Sequence, residues 1–300
     1  MDRLHHMSVF VAVAEAESFA AAGRRLGMSP PAVTRAVSAL EKRLGVRLLT
    51  RSTRLVRITE AGERYLEDCR RIIADADEAD ESVAGLNAAP RGHLSVTAPV
   101  LFGRLYVMPG IVEYLRRYPD VTARALFLDR VVNLVDEGLE VAVRIGDLPD
   151  SSLKAVRVGQ VRRIVCAAPG YLAARGTPNH PEQLTQHTII SASGVTPSAE
   201  WRFQDAGRSL QVRLQPRLVV TTNDGAIAAT AAGLGITRLL SYQLARQLAA
   251  GDLVTILSDF ELPPLPVHVV HREGRQSSAK VRAFVDLLVA RLRADPALQH

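Results

Sequence analysis

Along the chain, the spacing of apolar residues changes twice, and each change predicts a different kind of element. In residues 1–58 apolar positions recur every three to four residues, which predicts three short helices. Residues 46–59 then predict a β-ribbon. From residue 91 onward short apolar runs alternate with helical stretches, which predicts open α/β sheets. The predicted inward positions of the three helices are Leu4, Met7, Val9, Phe10, Val13 and Ala14, then Phe19, Ala22 and Leu26, then Val33, Ala36, Val37, Leu40 and Leu44.

The third predicted helix has a polar face made mostly of small side chains. Ser29 is its expected N-cap, Pro30 suits its first position, and Gly45 ends it in a left-handed turn. A solvated helix face usually carries long charged side chains, so we interpret this one as a surface that a large partner approaches closely. Its members are Pro31, Thr34, Arg35, Ser38 and Lys42.

Charge is spread unevenly along the chain, whose formal net charge is +6. Residues 1–58 hold ten Arg or Lys against four Asp or Glu, whereas residues 59–90 hold three against nine. The ribbon contains no acid, so a merely solvated edge is the weaker interpretation. Its arginines are Arg47, Arg51, Arg54 and Arg57. Together these features predict a winged helix-turn-helix, whose second helix enters the major groove while the ribbon contacts phosphates.

Residues 59–90 predict one long helix, to about Ala89, with a narrow apolar seam and an acidic opposite side. A helix of this length cannot bury a single stripe alone, so we expect it to dimerise and to deliver two heads to two half-sites. The alternative is packing against the chain's own second domain. The seam comprises Tyr65, Cys69, Ile72, Ala76, Ala79, Val83 and Leu86.

Residues 91–300 are long for a single sheet, so we predict two lobes. The expected crossings lie near residues 161–163 and 262–266, which makes 91–161 with 266–300 one lobe and 162–265 the other. Residues 130–138, RVVNLVDEG, are predicted to be a helix. In open α/β sheets, ligands bind at the carboxyl ends of strands.

Other classes of protein are disfavoured by the sequence. Cys69 and Cys166 are too few for a disulfide framework and match no metal spacing. No nucleophile elbow, P-loop or zinc-protease motif occurs, so we expect no enzyme, metal or cofactor. His268 and His271 are best explained as structural. The apolar start is interrupted by Glu15 and Glu17, and no run is long enough for a membrane span, so we expect a cytoplasmic protein.

The chain resembles the LysR-type transcriptional regulators over nearly its full length. The resemblance runs almost continuously from residue 9 to 66, and later in YPDV, LVDEGLEVAVRIGDLPDSSL, AAPGYLAARGTP, GLGI and KVRAF, in the family's order. It implies an α/β chain with an all-α-dominated winged helix-turn-helix head at 1–58. A long linker helix at 59–90 and a two-lobe, periplasmic-binding-protein-like α/β effector domain at 91–300 would follow.

The resemblance also implies site residues. The family's DNA-contacting positions correspond to Ser29, Pro30, Pro31, Thr34, Arg35 and Ser38, with Arg51 and Arg54 in the wing. Its effector positions correspond to Thr97, Ala98, Pro99, Val100, Phe102, Asp129, Ile145, Gly146, Ser191, Ser193, Thr221, Asn223 and Thr237.

Two positions depart from the family's pattern. Gly23 stands where the family usually has Ala, which suggests either a lower helix propensity at this position or closer packing against a neighbouring segment. Pro99 removes an amide where many members offer Ser or Thr, so an anion cradle there is weakened. We therefore expect a small, mostly apolar or aromatic effector held by neutral hydrogen bonds. Arg144, on the strand face opposite Ile145, is expected at a surface or interlobe ion pair.

The sequence thus predicts a DNA-binding transcriptional regulator controlled by a small organic effector. Its expected partners are double-stranded DNA, the effector and a second copy of itself, as a homodimer or homotetramer, with no membrane. The alternative is a cytoplasmic solute-binding protein without a direct DNA role.

Overall fold

The computed structural model describes most of the chain. It covers residues 2–51, 56–84, 89–130, 132–134, 137–148, 153–192, 200–272 and 278–299, without the side chains of residues 51, 71, 74, 75, 77–84 and 272. The chain divides into two compact units, one of Met1–Ala88 with Arg275–Ser278 and one of Ala89–Gly274 with Ala279–His300.

The first unit is a helical head with a small antiparallel ribbon. Its core joins all three short helices to the ribbon through buried side chains that include Val9, Phe10, Val37 and Leu48. Its elements are α1 Arg3–Ala16, α2 Phe19–Leu26, α3 Pro30–Leu44, β1 Leu49–Arg51, β2 Val56–Ile58 and α4 Glu60–Ala84. The predicted three helices and ribbon are therefore present. Leu4, Leu26 and Leu44, predicted to face inward, are exposed because each lies near a helix end.

The turn between α2 and α3 depends on two glycines. Gly27 adopts a left-handed conformation with φ of 63°. A Cβ on Gly23 would lie 2.8 Å from the carbonyl oxygen of Met28, so a larger residue would force the backbone to move. Close packing therefore explains Gly23.

The first half of α4 belongs to the core of the head, which corrects the predicted free seam. Cys69 is fully buried in that core, and the Tyr65 ring lies 5.9 Å from the Phe10 ring. Ile72, in contrast, remains exposed. The seam positions after Ala76 lie in the part of the chain whose side chains are not described, and Leu86 lies outside the described residues. A seam available to a second copy thus begins at Ile72 rather than at Tyr65.

The second unit alternates strands and helices. In chain order its elements are β3 Gly92–Ala98, α5 Val100–Phe102, α6 Met108–Arg117, β4 Val121–Phe127, β5 Val141–Ile145, β6 Leu153–Val161, β7 Arg163–Ala167, α7 Pro169–Arg175, β8 Ile189–Ala192, β9 Glu200–Asp205, β10 Arg208–Arg213, β11 Pro216–Val220, α8 Asn223–Ala231, β12 Ile236–Leu240, α9 Ser241–Ala250, β13 Val254–Ile256, β14 Leu265–Arg272 and α10 Ala279–Ala294. A π-helical turn, Gly103–Val107, joins α5 to α6.

These strands form two five-stranded sheets and a hairpin. The first sheet has the order β4-β3-β5-β14-β6 and the second β11-β8-β12-β7-β13, and β9 pairs with β10. We call the parts built on the two sheets the first lobe and the second lobe. The chain passes from the first to the second at Arg162 and returns after β13. Both passages coincide with the sequence-based crossings.

Two parts of this unit differ from the sequence-based expectation. The described residues of 130–138 form turns and not a helix, because Val132, Leu134 and Leu139 close a small apolar cluster against Ala142 and Val270. The β9–β10 hairpin was not predicted. It is an excursion whose register is set by the tight turn at Gly207, which has a φ of 81°.

Within the described residues, no helix is long and apolar enough to cross a membrane, and no group of three His, Cys, Asp or Glu side chains is placed to hold a metal ion. Both cysteines are buried. Burial raises the pKa of Cys69 to about 11 and that of Cys166 to about 12, so neither thiol is ionised near neutral pH.

Candidate DNA interface and effector cleft

The polar face of α3 is presented to solvent while its opposite face is buried. Val33, Val37 and Leu40 are fully buried, which fixes the rotation of the helix. Ser29, Pro30, Pro31, Arg35 and Ser38 are exposed, and Thr34 is half-buried. Ser29 has the backbone conformation of an N-cap, but its side chain makes no capping hydrogen bond. The predicted contact residues on α3 therefore share one accessible surface.

A buried carboxylate that the sequence did not single out connects α3 to the ribbon. Glu41 is 8% exposed, and its Oε1 accepts hydrogen bonds from the amides of Leu48 at 2.8 Å and Leu49 at 3.0 Å. Thr59 holds the same end of the ribbon, because its hydroxyl donates to the carbonyl of Arg47 at 2.8 Å. One feature of the sequence could have revealed the role of Glu41: it is a charged residue at a position of α3 where the periodicity predicts an inward-facing apolar side chain.

The arginines of the head fall into two groups. Arg25 and Arg70 both pair with Glu15, at 2.9 and 3.1 Å, and so tie α2 and α4 to α1. Arg35, by contrast, is exposed and has no ion pair among the described residues. Of the two predicted wing arginines, Arg51 has only its backbone described, at the end of β1, and Arg54 lies outside the described residues.

Most of the predicted effector residues lie where strands of the two lobes end. Thr97 and Ala98 are the last two residues of β3 and Pro99 follows them, while Ile145 ends β5 and Gly146 follows it. In the second lobe, Ser191 lies near the end of β8, Thr221 follows β11 and Asn223 begins α8. Ser193 lies outside the described residues.

Thr97 is the predicted residue with the clearest unused hydrogen-bonding capacity. It is fully buried, and its hydroxyl oxygen has no hydrogen-bond partner in the described part of the chain. A buried hydroxyl without a partner costs about 1–3 kcal/mol relative to one that is satisfied. The site is therefore stabilised by any ligand or water that supplies the bond.

The start of α5 is already occupied by an acid. Asp129 Oδ1 accepts a hydrogen bond from the amide of Val100 at 3.0 Å. Pro99 has no amide to offer, so the first available donor of this turn is neutralised by the chain's own carboxylate. This arrangement disfavours an anion at the position of Pro99 and Val100. Val100 itself is 41% exposed.

Two predicted effector residues already have structural partners, unlike Thr97. Phe102 is fully buried in an aromatic cluster, with its ring 4.8 Å from that of Tyr106 and 5.2 Å from that of Tyr242. Thr237 is the second residue of β12, away from the strand's carboxyl end, and its hydroxyl donates to the carbonyl of Ile190 at 3.0 Å. Both assignments are therefore corrected to structural roles.

Arg144 makes no ion pair among the described residues, contrary to expectation. Its guanidinium donates to the backbone carbonyl of Val132 at 2.8 Å, and burial lowers its pKa. Strand alternation placed it correctly, since Val143 and Ile145 contribute to the main core whereas Ala142 belongs to the cluster on the other face. Arg144 thus anchors the 130–138 segment.

Contacts between the two lobes were not visible in the sequence. Arg104, on the π-helical turn, pairs with Asp224 at the start of α8 at 3.0 Å. At the passage between the sheets, Arg162 pairs with Glu261 at 3.1 Å and its amide donates to Ser241. The first pair links the two lobes, and the second joins the two segments that pass between the sheets.

A groove of about 690 Å³ lies elsewhere in the second lobe, beside Thr188, where β8 begins. None of the predicted effector residues lines it. We therefore place the candidate effector site by strand ends and by the unsatisfied hydroxyl of Thr97, and not by cavity size.

The geometry defines a winged helix-turn-helix joined to a two-lobe ligand-binding domain. Two family models match: "Bacterial regulatory helix-turn-helix protein, lysR family" over residues 4–63, and "LysR substrate binding domain" over residues 87–293. The chain therefore belongs to the LysR-type transcriptional regulators, which bind DNA and carry an effector-binding domain. This is a family of regulators and not of enzymes. Because the helix-turn-helix is present, a solute-binding protein without a DNA role is excluded.

Relatives match over nearly the whole chain. The HTH-type transcriptional repressor PA14_22550 of Pseudomonas aeruginosa is 33% identical, covering 100% of this chain and 95% of its own. The activator AaeR of Escherichia coli is 32% identical, covering 96% and 93%.

Two solved structures also match over nearly their full length. The Vibrio cholerae virulence activator AphB is 27% identical, covering 96% of this chain and 99% of its own, with a TM-score of 0.63. CrgA of Neisseria meningitidis is 28% identical, covering 97% and 99%, with a TM-score of 0.62.

The bond pattern of Glu41 makes a direct prediction. Glu41→Ala leaves the amides of Leu48 and Leu49 buried without an acceptor, which destabilises the ribbon by about 2 kcal/mol. Hydrogen–deuterium exchange should show both amides exchanging at least about tenfold faster, whereas the exposed Glu63→Ala leaves them unchanged. Equal protection in the two variants would show that the carboxylate does not hold the wing.

Proposed function

We propose that α3 contacts base edges through Thr34, Arg35 and Ser38 and that the wing contacts phosphates through Arg51 and Arg54. The observation that carries this proposal is the accessible small-polar face of α3 with Arg35 at its middle. Small side chains let the helix backbone sit close to the groove floor, and Arg is the side chain that most often pairs with guanine. Because it binds DNA as a transcriptional regulator, the protein acts in the cytoplasm.

The start of α3 suits a phosphate. Ser29 keeps its hydroxyl uncommitted to the helix, and Pro30 and Pro31 are exposed beside it. A helix N-terminus carries a partial positive charge, and the hydroxyl supplies a donor to a phosphate oxygen. These three residues are assigned to positioning the head on the DNA backbone rather than to base discrimination.

For the effector domain, residues 91–300, we propose a small neutral ligand of mostly apolar or aromatic character. Thr97 offers an unsatisfied hydroxyl, and Ser191, Thr221 and Asn223 add neutral polar groups from the other lobe. Asp129 at the start of α5 disfavours a carboxylate there. A ligand that binds between the lobes increases the population of their closed arrangement. The size of this increase depends on how much more tightly the ligand binds the closed arrangement than the open one.

We further propose a homodimer formed through α4 of the linker. Ile72 is 37% exposed, and a groove of about 300 Å³ lies on the same unit. The groove is lined mostly by apolar and aromatic residues, with two charged ones: Leu44, Val46, Leu48, Ala61 and Tyr65, and Arg64 and Asp68. A largely apolar groove and an exposed apolar position on the same unit fit the isologous contact of a two-fold dimer. A second exposed stripe, Leu105, Met108 and Val112, gives the effector domain an additional surface for the homotetramer alternative.

Arg35→Ala should weaken specific binding far more than non-specific binding. One bidentate base contact contributes about 1–3 kcal/mol of discrimination, so affinity for a selected operator should fall about 5- to 150-fold. Fluorescence anisotropy at fixed salt, with a selected operator and a scrambled duplex, measures both. Arg246→Ala, which removes an exposed charge on α9, is the matched control. Equal losses on the two duplexes would rule out base contact by Arg35.

Ile72→Glu should dissociate the dimer without unfolding the head. A carboxylate brought into an apolar contact costs several kcal/mol. The matched control is Glu63→Lys, which changes an exposed charge on α4 outside the groove and should be tolerated. Sedimentation velocity should report monomers only for Ile72→Glu, with loss of binding to a two-half-site operator. A persisting dimer would assign the exposed stripe of α4 to another contact.

The two buried threonines distinguish ligand binding from packing. Thr97→Val should weaken binding of a neutral aromatic such as benzamide about 2- to 12-fold, because one hydrogen bond is lost. Thr237→Val should lower the melting temperature and leave that affinity unchanged. Calorimetry on the full chain with benzamide and succinate tests this. Tighter binding of succinate, lost in Arg144→Ala and retained in Thr97→Val, would overturn the neutral-ligand proposal.

A further inference from the structure

The second lobe places two arginine side chains next to each other on one sheet face. Arg163, at the start of β7, lies opposite Leu240, and Arg238 of β12 lies opposite Val165. Opposite residues of an antiparallel pair share a face, and Arg163 and Val165 are two residues apart. The two arginines are therefore diagonal neighbours, with backbones about 7–8 Å apart, well within the reach of their side chains.

The β9–β10 hairpin holds Arg238 in place. The guanidinium carbon lies 4.9 Å from the centre of the Trp201 ring and 5.7 Å from that of Phe203, and both rings are buried. One nitrogen donates to the backbone carbonyl of Arg202 at 2.9 Å. This arrangement uses one N–H group and leaves the rest of the guanidinium without a protein acceptor in the described part of the chain.

The guanidinium of Arg163 has neither an ion pair nor a hydrogen bond among the described residues. Two acids of this lobe are engaged elsewhere, since Glu261 pairs with Arg162 at 3.1 Å and Asp205 lies 3.9 Å from His180. Within the described part of the chain, no acid therefore neutralises the two cations.

Both charges are held in an unfavourable environment. Burial lowers the pKa of Arg163, and burial followed by the charge of Arg163 lowers the pKa of Arg238 to about 9. Lys280 of the same unit is also buried, but its ammonium nitrogen lies 3.2 Å from a carboxylate oxygen of Glu140. Lys280 therefore has a compensating acid that Arg163 and Arg238 lack among the described residues.

We propose that Arg163 and Arg238 form a binding site for a small oxyanion, the carboxylate or phosphate group of a metabolite. Two adjacent guanidinium groups offer planar donor forks that match either group. The site uses none of the residues assigned to the neutral effector and therefore goes beyond the proposed function. Because Arg238 also anchors the hairpin, the bound anion stabilises the docking of the hairpin on the sheet.

Thermal unfolding of the full chain tests the site with benzoate and with inorganic phosphate, at matched ionic strength. Benzoate or phosphate should raise the melting temperature of the wild type by about 2 °C or more above the sodium chloride control. Arg163→Met keeps the side chain's apolar stem and removes the charge. It should raise the melting temperature without ligand and abolish the anion response, while Arg246→Met changes neither.

A response to benzoate alone assigns a carboxylate, and a response to phosphate alone assigns a phosphate group. An equal rise in wild type and Arg163→Met is a general salt effect and overturns the proposal. So does a melting temperature below wild type, without ligand, in both Arg163→Met and Arg163→Gln, because it shows that the charge stabilises the fold. No DNA is needed, so failure of the DNA-contact assignment leaves this result intact.

Discussion

The burial of one face of α3 is the contact on which the DNA-binding head depends. Val33, Val37 and Leu40 are fully buried against α1 and its neighbours, and this leaves only one rotation of the helix available. The opposite face is then presented to solvent in one fixed orientation. Preorganised surfaces bind with less loss of conformational freedom, which is why the packing of the head is part of its specificity.

Polar groups extend this fixed geometry from α3 to the wing. Glu41 lies among apolar residues of the helix, yet its carboxylate satisfies two amides at the start of the ribbon. A Cβ on Gly62 would lie 2.1 Å from the carbonyl oxygen of Leu48, so α4 begins in direct contact with the same segment. The polar face of α3 and the start of the ribbon are thereby held in one rigid frame.

The effector domain combines satisfied and unsatisfied polar groups in a way that separates structure from ligand binding. The side chains of Thr237 and Arg144 donate hydrogen bonds to backbone carbonyls and so stabilise the sheets. Thr97 retains an unused buried hydroxyl, and Arg163 an unpaired charge among the described residues. Buried polar groups without partners destabilise the ligand-free protein, and a ligand that satisfies them gains the corresponding free energy.

The sequence by itself determined the helices and ribbon of the head, the two passages between sheets and the polar face of α3, because these depend on local periodicity and on residues close in the chain. Only the tertiary structure decided that Phe102 is buried, that Tyr65 and Cys69 join the head core, and that residues 130–138 form turns. It also brought together Glu41 with Leu48 and Arg163 with Arg238. Such outcomes depend on which distant segments pack together, and the spacing of residues along one segment carries no information about its partner.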